Sequence, residues 1–259
     1  MPPALALRNL TVSVRGKFLV HGIDLTVDPG ERVALLGASG SGKSLTAAAV
    51  LGSLGPEFRA SGSLTLFGVP VDVGSTAARR TAMGIAAVYQ DSRSALNPLV
   101  TIAAQLTLAV RRHHELGARA ARACVAELLA SVGIDDPPRT MAGYAAQLSG
   151  GQLQRVCIAL ALACRARLLI ADEPTTALDV VNQARVLDVL RDYGDAERAA
   201  ILFITHDLAV AASLCDRAVV LQHGRVVEQA AMHDLIERPG HEYARALVAS
   251  AAPRSLACA

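Results

Sequence analysis

The chain has 259 residues, 52% of them hydrophobic and 19% charged, with a formal net charge of +2. This length allows one large domain, or a core domain with a smaller subdomain. The nearly neutral charge gives no reason to expect nucleic acid as a partner. The five cysteines are odd in number and form no C-x-x-C pair, which argues against a disulfide framework and against a zinc site.

The hydrophobic stretches of the chain are short. The longest, Leu99–Val110 and Val156–Cys164, fall below the length needed to cross a bilayer. The first nine residues lack the charged and apolar regions of a secretory signal. We therefore expect a soluble protein, or one held at a membrane by a separate membrane-spanning partner.

The first ninety residues are predicted to be rich in strands, because apolar and polar residues alternate and turn residues separate the runs. The predicted elements are, in chain order, strands Ala4–Val14, Gly22–Val27 and Arg32–Leu36, a helix Lys43–Leu54, a hairpin within Ser61–Val73 and a buried strand Ile85–Tyr89.

The rest of the chain predicts an insertion followed by a return to alternating strands and helices. Residues 91–147 are alanine-rich and indicate an inserted helical subdomain, and residues 148–259 rejoin the core. Alternating strands and helices predict a largely parallel sheet covered on both faces. The predicted fold class is therefore α/β with an N-terminal antiparallel part, forming a single domain over residues 1–259. The later predicted elements are helix Gln152–Cys164, strand Leu168–Ala171, helix Val181–Tyr193, strand Ala200–Ile204, a helix after His206, strands Ala218–Leu221 and Arg225–Glu228, and two C-terminal helices.

One segment matches the phosphate-loop pattern G-x-x-x-x-G-K-[ST] between a predicted strand and a predicted helix. Its residues are Gly37, Ala38, Ser39, Gly40, Ser41, Gly42, Lys43 and Ser44. The glycines let backbone N–H groups converge on an anion, and the helix N-terminus adds partial positive charge. We expect Lys43 to reach the β- and γ-phosphates of ATP and the Ser44 hydroxyl to bind Mg²⁺. We predict a P-loop NTPase core. The alternative for this segment is an ordinary glycine- and serine-rich turn.

The strand predicted at Leu168–Ala171 ends in two carboxylates, Asp172 and Glu173. Parallel strands carry their functional groups at their carboxyl ends, so both acids are expected beside the phosphate loop. Asp172 is predicted to hold Mg²⁺, and Glu173 to orient and activate an attacking water. Taken alone, the pair could equally be solvated acids at a strand end.

A second anion-binding helix end is predicted at Ser149, Gly150, Gly151 and Gln152, because a serine N-cap and two glycines precede a helix. With Leu148, these residues match the signature sequence of ATP-binding-cassette (ABC) ATPases, and the chain resembles that family over essentially its whole length. The resemblance implies that two such domains meet head to tail. Ser149–Gln152 of one would then close over the ATP held by Gly37–Ser44 of the other.

The resemblance also implies roles for three single residues. Gln90, after a predicted strand, is similar to the family's glutamine that senses Mg²⁺ and the γ-phosphate and opens the segment facing the membrane partner. Asp179 lies in the loop that communicates across the dimer. His206 matches the switch histidine at the γ-phosphate, although a lone histidine is more often an ordinary loop residue.

One family feature is missing at its usual place. The aromatic residue that stacks on adenine is expected near Val14 or Arg15, and neither is aromatic. Phe18 could replace it if the loop is shifted.

Several stretches resemble the separate ATPase subunits of importers in the nickel, dipeptide and oligopeptide group. These stretches are Ser92–Leu99, Ala171–Asp179 and His241–Leu247, and the similarity of Leu19–Gly22, Gly42–Thr46 and Asp179–Arg185 favours the nickel branch. Peptide import is the alternative, and a cytosolic ABC ATPase without a transport role is a third. The resemblance implies a second ABC ATPase subunit, two transmembrane permease subunits and an extracytoplasmic solute-binding protein as partners. It implies a peripheral location at the cytoplasmic face of the inner membrane.

Overall fold

The structure is a computed structural model that describes residues 1–74 and 83–255, with side chains described up to residue 251. Within these ranges the strands are β1 (Leu5–Val14), β2 (Lys17–Val27), β3 (Arg32–Leu36), β4 (Phe58–Leu66), β5 (Val69–Val71), β6 (Ile85–Val88), β7 (Leu168–Asp172), β8 (Ala200–Thr205), β9 (Arg217–Gln222) and β10 (Arg225–Ala231). The helices are α1 (Lys43–Leu51), α2 (Ile102–His114), α3 (Ala118–Ser131), α4 (Pro137–Ala142), α5 (Gly150–Ala163), α6 (Val180–Glu197), α7 (Leu208–Leu214), α8 (Met232–Glu237) and α9 (Glu242–Ser255).

The strands form two sheets. A six-stranded sheet has the order β10-β9-β3-β8-β7-β6, and only its β10–β9 pair is antiparallel. A four-stranded antiparallel sheet has the order β2-β1-β4-β5. The predicted α/β fold with a mostly parallel sheet and an antiparallel N-terminal part is therefore confirmed.

The central strands separate two hydrophobic cores. Along β3, Val33 and Leu35 face the core shared with the antiparallel sheet and α1, whereas Ala34 and Leu36 face the core built with the later helices. Successive side chains of a strand point to opposite faces, so a strand buried on both sides reads as an unbroken apolar run. This is why Arg32–Leu36 could be predicted as buried, with matching bounds.

Two predicted elements differ at their ends. Strand β2 begins at Lys17, five positions before the predicted start. The prediction missed its first part because Gly22 forms a bulge that interrupts the alternating pattern: Leu10 pairs with Ile23 and Thr11 with His21. Helix α1 stops at Leu51 and not at Leu54, because Gly52 adopts a left-handed conformation with φ 66° and caps it.

Between β6 and α5 the described backbone is helical. It comprises a 3₁₀ turn at Ser92–Ala95, helices α2, α3 and α4, and a second 3₁₀ turn at Ala145–Gln147. These helices pack mainly on one another and on α5. Whether residues 91–147 act as a separate subdomain stays a prediction.

None of the helices in the described ranges has the length and apolar character needed to cross a membrane.

Candidate active site

A cleft of about 580 Å³ opens at the carboxyl ends of the central strands. Strands β3, β8 and β7 are in parallel register, with Leu36 opposite Thr205 and Ile204 opposite Asp172. The loops that follow these strands therefore meet at one edge of the sheet. The cleft is lined by Ala38, Ser39, Gly40, Gly42, Lys43, Ser44, Leu45, Gln90, Glu173, His206, Tyr243 and Leu247.

The predicted phosphate loop forms one wall of this cleft. Gly37 has φ 155°, and a Cβ there would lie 2.4 Å from the carbonyl oxygen of Leu221, so a larger residue would displace β9. The buried Lys43 ammonium donates to the carbonyl oxygens of Gly37 at 2.8 Å and Ala38 at 2.9 Å. Burial lowers the pKa of Lys43, although the nearby carboxylates of Glu173 and Asp172 oppose that shift. The ammonium is thus held inside the loop, facing the carboxylates.

Asp172 ends β7 beneath the phosphate loop. Its side chain is buried, and its Oδ1 atom has no hydrogen-bond partner within the described residues. Burial raises the pKa of Asp172, and a hydrogen bond from the Ser44 hydroxyl opposes that shift. A buried carboxylate oxygen without a partner beside a hydroxyl suits an oxygen-seeking cation such as Mg²⁺.

Glu173 is the hub of a small polar network. Its Oε1 atom lies 3.1 Å from Nδ1 of His206. Its Oε2 atom accepts hydrogen bonds from Nε2 of Gln90 at 3.3 Å and from Oγ1 of Thr176 at 3.1 Å. Its own N–H donates to the carbonyl oxygen of Ile204 at 2.9 Å. The structure thus brings two predicted site residues, Gln90 and His206, from loops far apart in sequence to the carboxylate of a third.

The backbone of Glu173 is strained. Its φ is 47°, in the left-handed region that costs a non-glycine residue on the order of 1–3 kcal/mol. The side chain carried by this residue lines the cleft. Backbone strain of this kind concentrates at functional sites.

The predicted signature residues form the start of α5 and not part of the cleft. Ser149 is the N-cap, as predicted: its hydroxyl accepts from the N–H of Gln152, and the Gln152 side chain accepts from the N–H of Ser149. A Cβ on Gly151 would lie 3.3 Å from the carbonyl oxygen of Ala177. Within the described part of the chain, the residues lining the cleft do not include Ser149–Gln152.

Asp179 begins α6. Its carboxylate accepts from the backbone N–H of Asn182 at 2.9 Å and from the Asn182 side-chain amide at 2.6 Å, and these hydrogen bonds lower the pKa of Asp179. The next two residues, Val180 and Val181, are 79% and 78% exposed. Asp179 therefore has a helix-capping role in its own chain and stands beside an exposed apolar pair.

The aromatic residue considered for adenine stacking lies at the start of β2. Phe18 is 53% exposed and its ring centroid lies 6.2 Å from that of His21. The same strand approaches the phosphate loop, because a Cβ on Gly42 would lie 3.3 Å from Cγ2 of Val20. Phe18 is not among the residues that line the cleft, so its contact with adenine stays a prediction.

Sequence reasoning missed Tyr243 as a cleft residue. Its hydroxyl oxygen accepts a hydrogen bond from the N–H of Ala38 at 2.7 Å. The stretch around Tyr243 resembled an importer motif, but no spacing rule connects it to a loop more than two hundred residues earlier. Only the contact between these two segments in the folded structure identifies Tyr243 as a cleft residue.

The strand–loop–helix unit at Lys43 and the carboxylates at the end of β7, a parallel strand of the same sheet, define a P-loop NTPase. The chain also matches the family described as ABC transporter over residues 20–176. It belongs to that family, as the signature residues led us to expect.

The chain is similar to relatives that are named for different transport functions. It is 44% identical over 242 residues to the oligopeptide transport ATP-binding protein OppD of Mycobacterium bovis, covering 91% of this chain but 40% of that protein. It is 40% identical over 248 residues to the nickel import ATP-binding protein NikD of Pseudomonas putida, covering 95% of both. Among solved structures, a dimeric bacterial ABC transporter cassette superposes with a TM-score of 0.76 at 26% identity, over 88% of this chain and 98% of that one.

Proposed function

We propose that the chain binds ATP with Mg²⁺ and hydrolyses it to drive an ABC importer. The observation that carries this proposal is the meeting of the Lys43 ammonium, the Glu173 carboxylate and the His206 ring around one cleft. The family match supports the nucleotide, and a structural neighbour is a cassette bound to ADP and Pi.

The phosphate loop would hold the nucleotide. Backbone N–H groups of Gly37–Ser44 and the N-terminus of α1 offer donors and partial positive charge to phosphate oxygens. The Lys43 ammonium would leave the two loop carbonyls for the β- and γ-phosphates. Ser44, Gln90 and Asp172 would hold Mg²⁺, which neutralises phosphate charge when bound.

Glu173 is suited to activate the attacking water. Its carboxylate would accept a proton as the water oxygen attacks the γ-phosphorus and the bond to the ADP oxygen breaks. Gln90 and Thr176 hold one carboxylate oxygen, while the other contacts His206. His206 is 58% exposed at its side chain, against 13% for Glu173, so it is free to turn toward the terminal phosphate.

The site is proposed to need a second ATPase subunit. A capped helix start with two glycines would bind an anion, yet Ser149–Gln152 lie outside this chain's own cleft. The exposed Val180 and Val181 beside Asp179 offer an apolar contact surface for a partner cassette. Both halves of the motif set are intact, so the partner could be a second copy or a relative.

The remaining partners are proposed from the importer relatives. Leu99 and Leu108, after Gln90, are 85% and 69% exposed, and an apolar surface there fits contact with a transmembrane permease subunit. Two such permeases and an extracytoplasmic solute-binding protein would complete the importer. The chain would then lie peripherally at the cytoplasmic face of the inner membrane.

Nickel is the proposed cargo. The full-length similarity to the nickel import protein supports it. Peptides are the second candidate, because the oligopeptide transport protein is 44% identical over 242 residues. The ATPase chemistry would be the same in both cases.

The cargo is tested by measuring cellular nickel content and dipeptide uptake with and without the gene under metal limitation. A fall in nickel alone supports nickel import. A fall in peptide uptake alone keeps the ATPase and moves the cargo to peptides. No change in either contradicts an importer of this group.

The ATPase step is tested on the purified chain. Lys43→Ala should abolish nucleotide binding, because the phosphates lose their cationic ligand. The matched control is Lys17→Ala on β2, which should leave binding unchanged. Equal affinity in wild type and Lys43→Ala would remove the phosphate-loop assignment.

A further inference from the structure

The start of helix α9 is fixed by a set of hydrogen bonds. The Glu228 carboxylate on β10 accepts the N–H groups of Gly240 and His241, both at 2.8 Å. Nδ1 of His241 accepts the N–H of Tyr243 at 3.1 Å, and Arg245 donates to the carbonyl oxygen of Gly240 at 2.7 Å. These contacts set the direction in which the Tyr243 side chain leaves the helix.

Tyr243 uses only part of its hydrogen-bonding capacity. Its oxygen accepts the N–H of Ala38 at 2.7 Å. A phenol hydroxyl also carries one proton to donate, and the described residues give that proton no acceptor. The half-buried ring lines the cleft together with Leu247.

The hydroxyl is linked through Ala38 to the ammonium that is expected to reach the terminal phosphate. Ala38, which donates to Tyr243, also holds the Lys43 ammonium through its carbonyl oxygen at 2.9 Å. That ammonium is the group expected to reach the γ-phosphate. Glu173 and His206 line the same cleft, so Tyr243 shares it with the groups expected around the reacting phosphate.

We propose that Tyr243 donates a hydrogen bond to the terminal phosphate of bound ATP and thereby favours ATP over ADP. The inference rests on the proposed ATPase function. It extends that function by adding a residue of α9 that contacts the nucleotide. ADP lacks the γ-phosphate, so this bond contributes to the affinity of the triphosphate alone. A hydrogen bond to a charged acceptor changes binding by roughly ten- to a hundredfold.

The test compares Tyr243→Phe with wild type in the full chain. The probes are ADP and the non-hydrolysable β,γ-imido analogue of ATP, each titrated with Mg²⁺ by calorimetry. We expect the analogue to bind at least ten times more weakly to the variant, with ADP affinity unchanged within a factor of two.

The matched control is Tyr193→Phe. It removes a hydroxyl that donates to the carbonyl oxygen of Ala166 at 2.8 Å, away from the cleft, and it should change neither affinity. Equal weakening of both nucleotides by Tyr243→Phe would mean that Tyr243 only shapes the loop, and no weakening would mean that it makes no phosphate contact. Either result overturns the inference, whereas failure of the wild type to bind either nucleotide would overturn the proposed function instead.

Discussion

At the level of single side chains, the cleft combines the Lys43 ammonium with the Glu173 carboxylate, and the adjacent Asp172 carboxylate also acts on that ammonium. Asp172 is buried with an oxygen lacking a partner, while Glu173 has three side-chain contacts and a strained backbone. Different surroundings allow neighbouring acids to take different roles. Asp172 is suited to bind a cation, and Glu173 is suited to activate a water molecule.

Glu173→Gln is expected to keep ATP binding and to lose steady hydrolysis. The amide preserves the size of the side chain but cannot take the proton from water, which should lower kcat by about 10²–10⁴-fold. Phosphate release and nucleotide titration measure the two effects separately. Glu237→Gln, an exposed substitution on α8, is the matched control and should turn over normally. Wild-type turnover in Glu173→Gln would remove the proposed role.

Asp172→Asn is expected to stabilise the nucleotide-free chain at neutral pH. The folded-state pKa of Asp172 is raised, so the folded chain favours the protonated carboxyl group. The contribution of this group to the free energy of unfolding is therefore fully present below its ordinary pKa near 4, and it is lost as pH rises through the folded pKa. The gain in Tm should therefore be clear at pH 7 and vanish toward the ordinary pKa. Added Mg²⁺ with nucleotide should raise the Tm of wild type more than that of the variant.

The control for this measurement is Asp192→Asn on the exposed face of α6, which should leave Tm unchanged at either pH. A lower Tm for Asp172→Asn at pH 7 would show that the carboxylate stabilises the nucleotide-free fold, against the direction of its pKa.

At the level of elements, helix α5 combines a structural cap with a proposed contact to a partner's nucleotide. The Ser149–Gln152 capping box satisfies donors at the helix start. Gly150 leaves that start open, because a Cβ there would meet no atom within 4 Å. The two roles can be separated because a cap needs an acceptor side chain, whereas a phosphate contact also depends on charge.

Ser149→Asp should retain the fold and abolish hydrolysis. Aspartate caps a helix about as well as serine, so Tm should hold, but its negative charge would repel the phosphates bound by the partner subunit. The matched control is Ser149→Asn, which caps equally well without charge and should lose far less activity. ATP binding to the isolated chain should be normal in both. Full hydrolysis by Ser149→Asp would contradict the composite site.

Element types were predictable where local chemistry sets them, and element ends were less so. The loop between β3 and α1 and the cap at Ser149 follow from short patterns that carry their own geometry. The bulge at Gly22 hid the first part of β2, and Gly52 ended α1 early. Phe18 and Tyr243 show the limit for the site, since whether each side chain reaches the cleft depends on packing between distant elements.

At the scale of the whole molecule, the parallel sheet is shared by two cores. Phe203 on β8 is fully buried toward the helices, while its neighbours Leu202 and Ile204 face the antiparallel sheet. Every central strand is thus fixed from both sides. This arrangement keeps the strand ends that carry Asp172 and Thr205 in register beside the phosphate loop.

Phe203→Ala should destabilise the chain by about 3–5 kcal/mol, because it removes a large buried side chain and leaves a cavity. Urea unfolding followed by circular dichroism measures the loss. Phe18→Ala, the same substitution at a half-exposed ring, should cost less than about 0.5 kcal/mol. Comparable losses in the two variants would contradict the central position of Phe203.

The hydrogen bond between Ala38 and Tyr243 joins residues 205 positions apart in the sequence. Ribosomes add about 5–20 residues per second, so roughly 10–40 s pass between synthesis of the phosphate loop and synthesis of α9. For most of that interval the nascent loop also lacks β9, whose Leu221 carbonyl lies against Gly37. A chain still growing on the ribosome would therefore have the lysine and the glycines of its nucleotide site without the tyrosine, and selectivity for triphosphate would arise only once α9 has been synthesised.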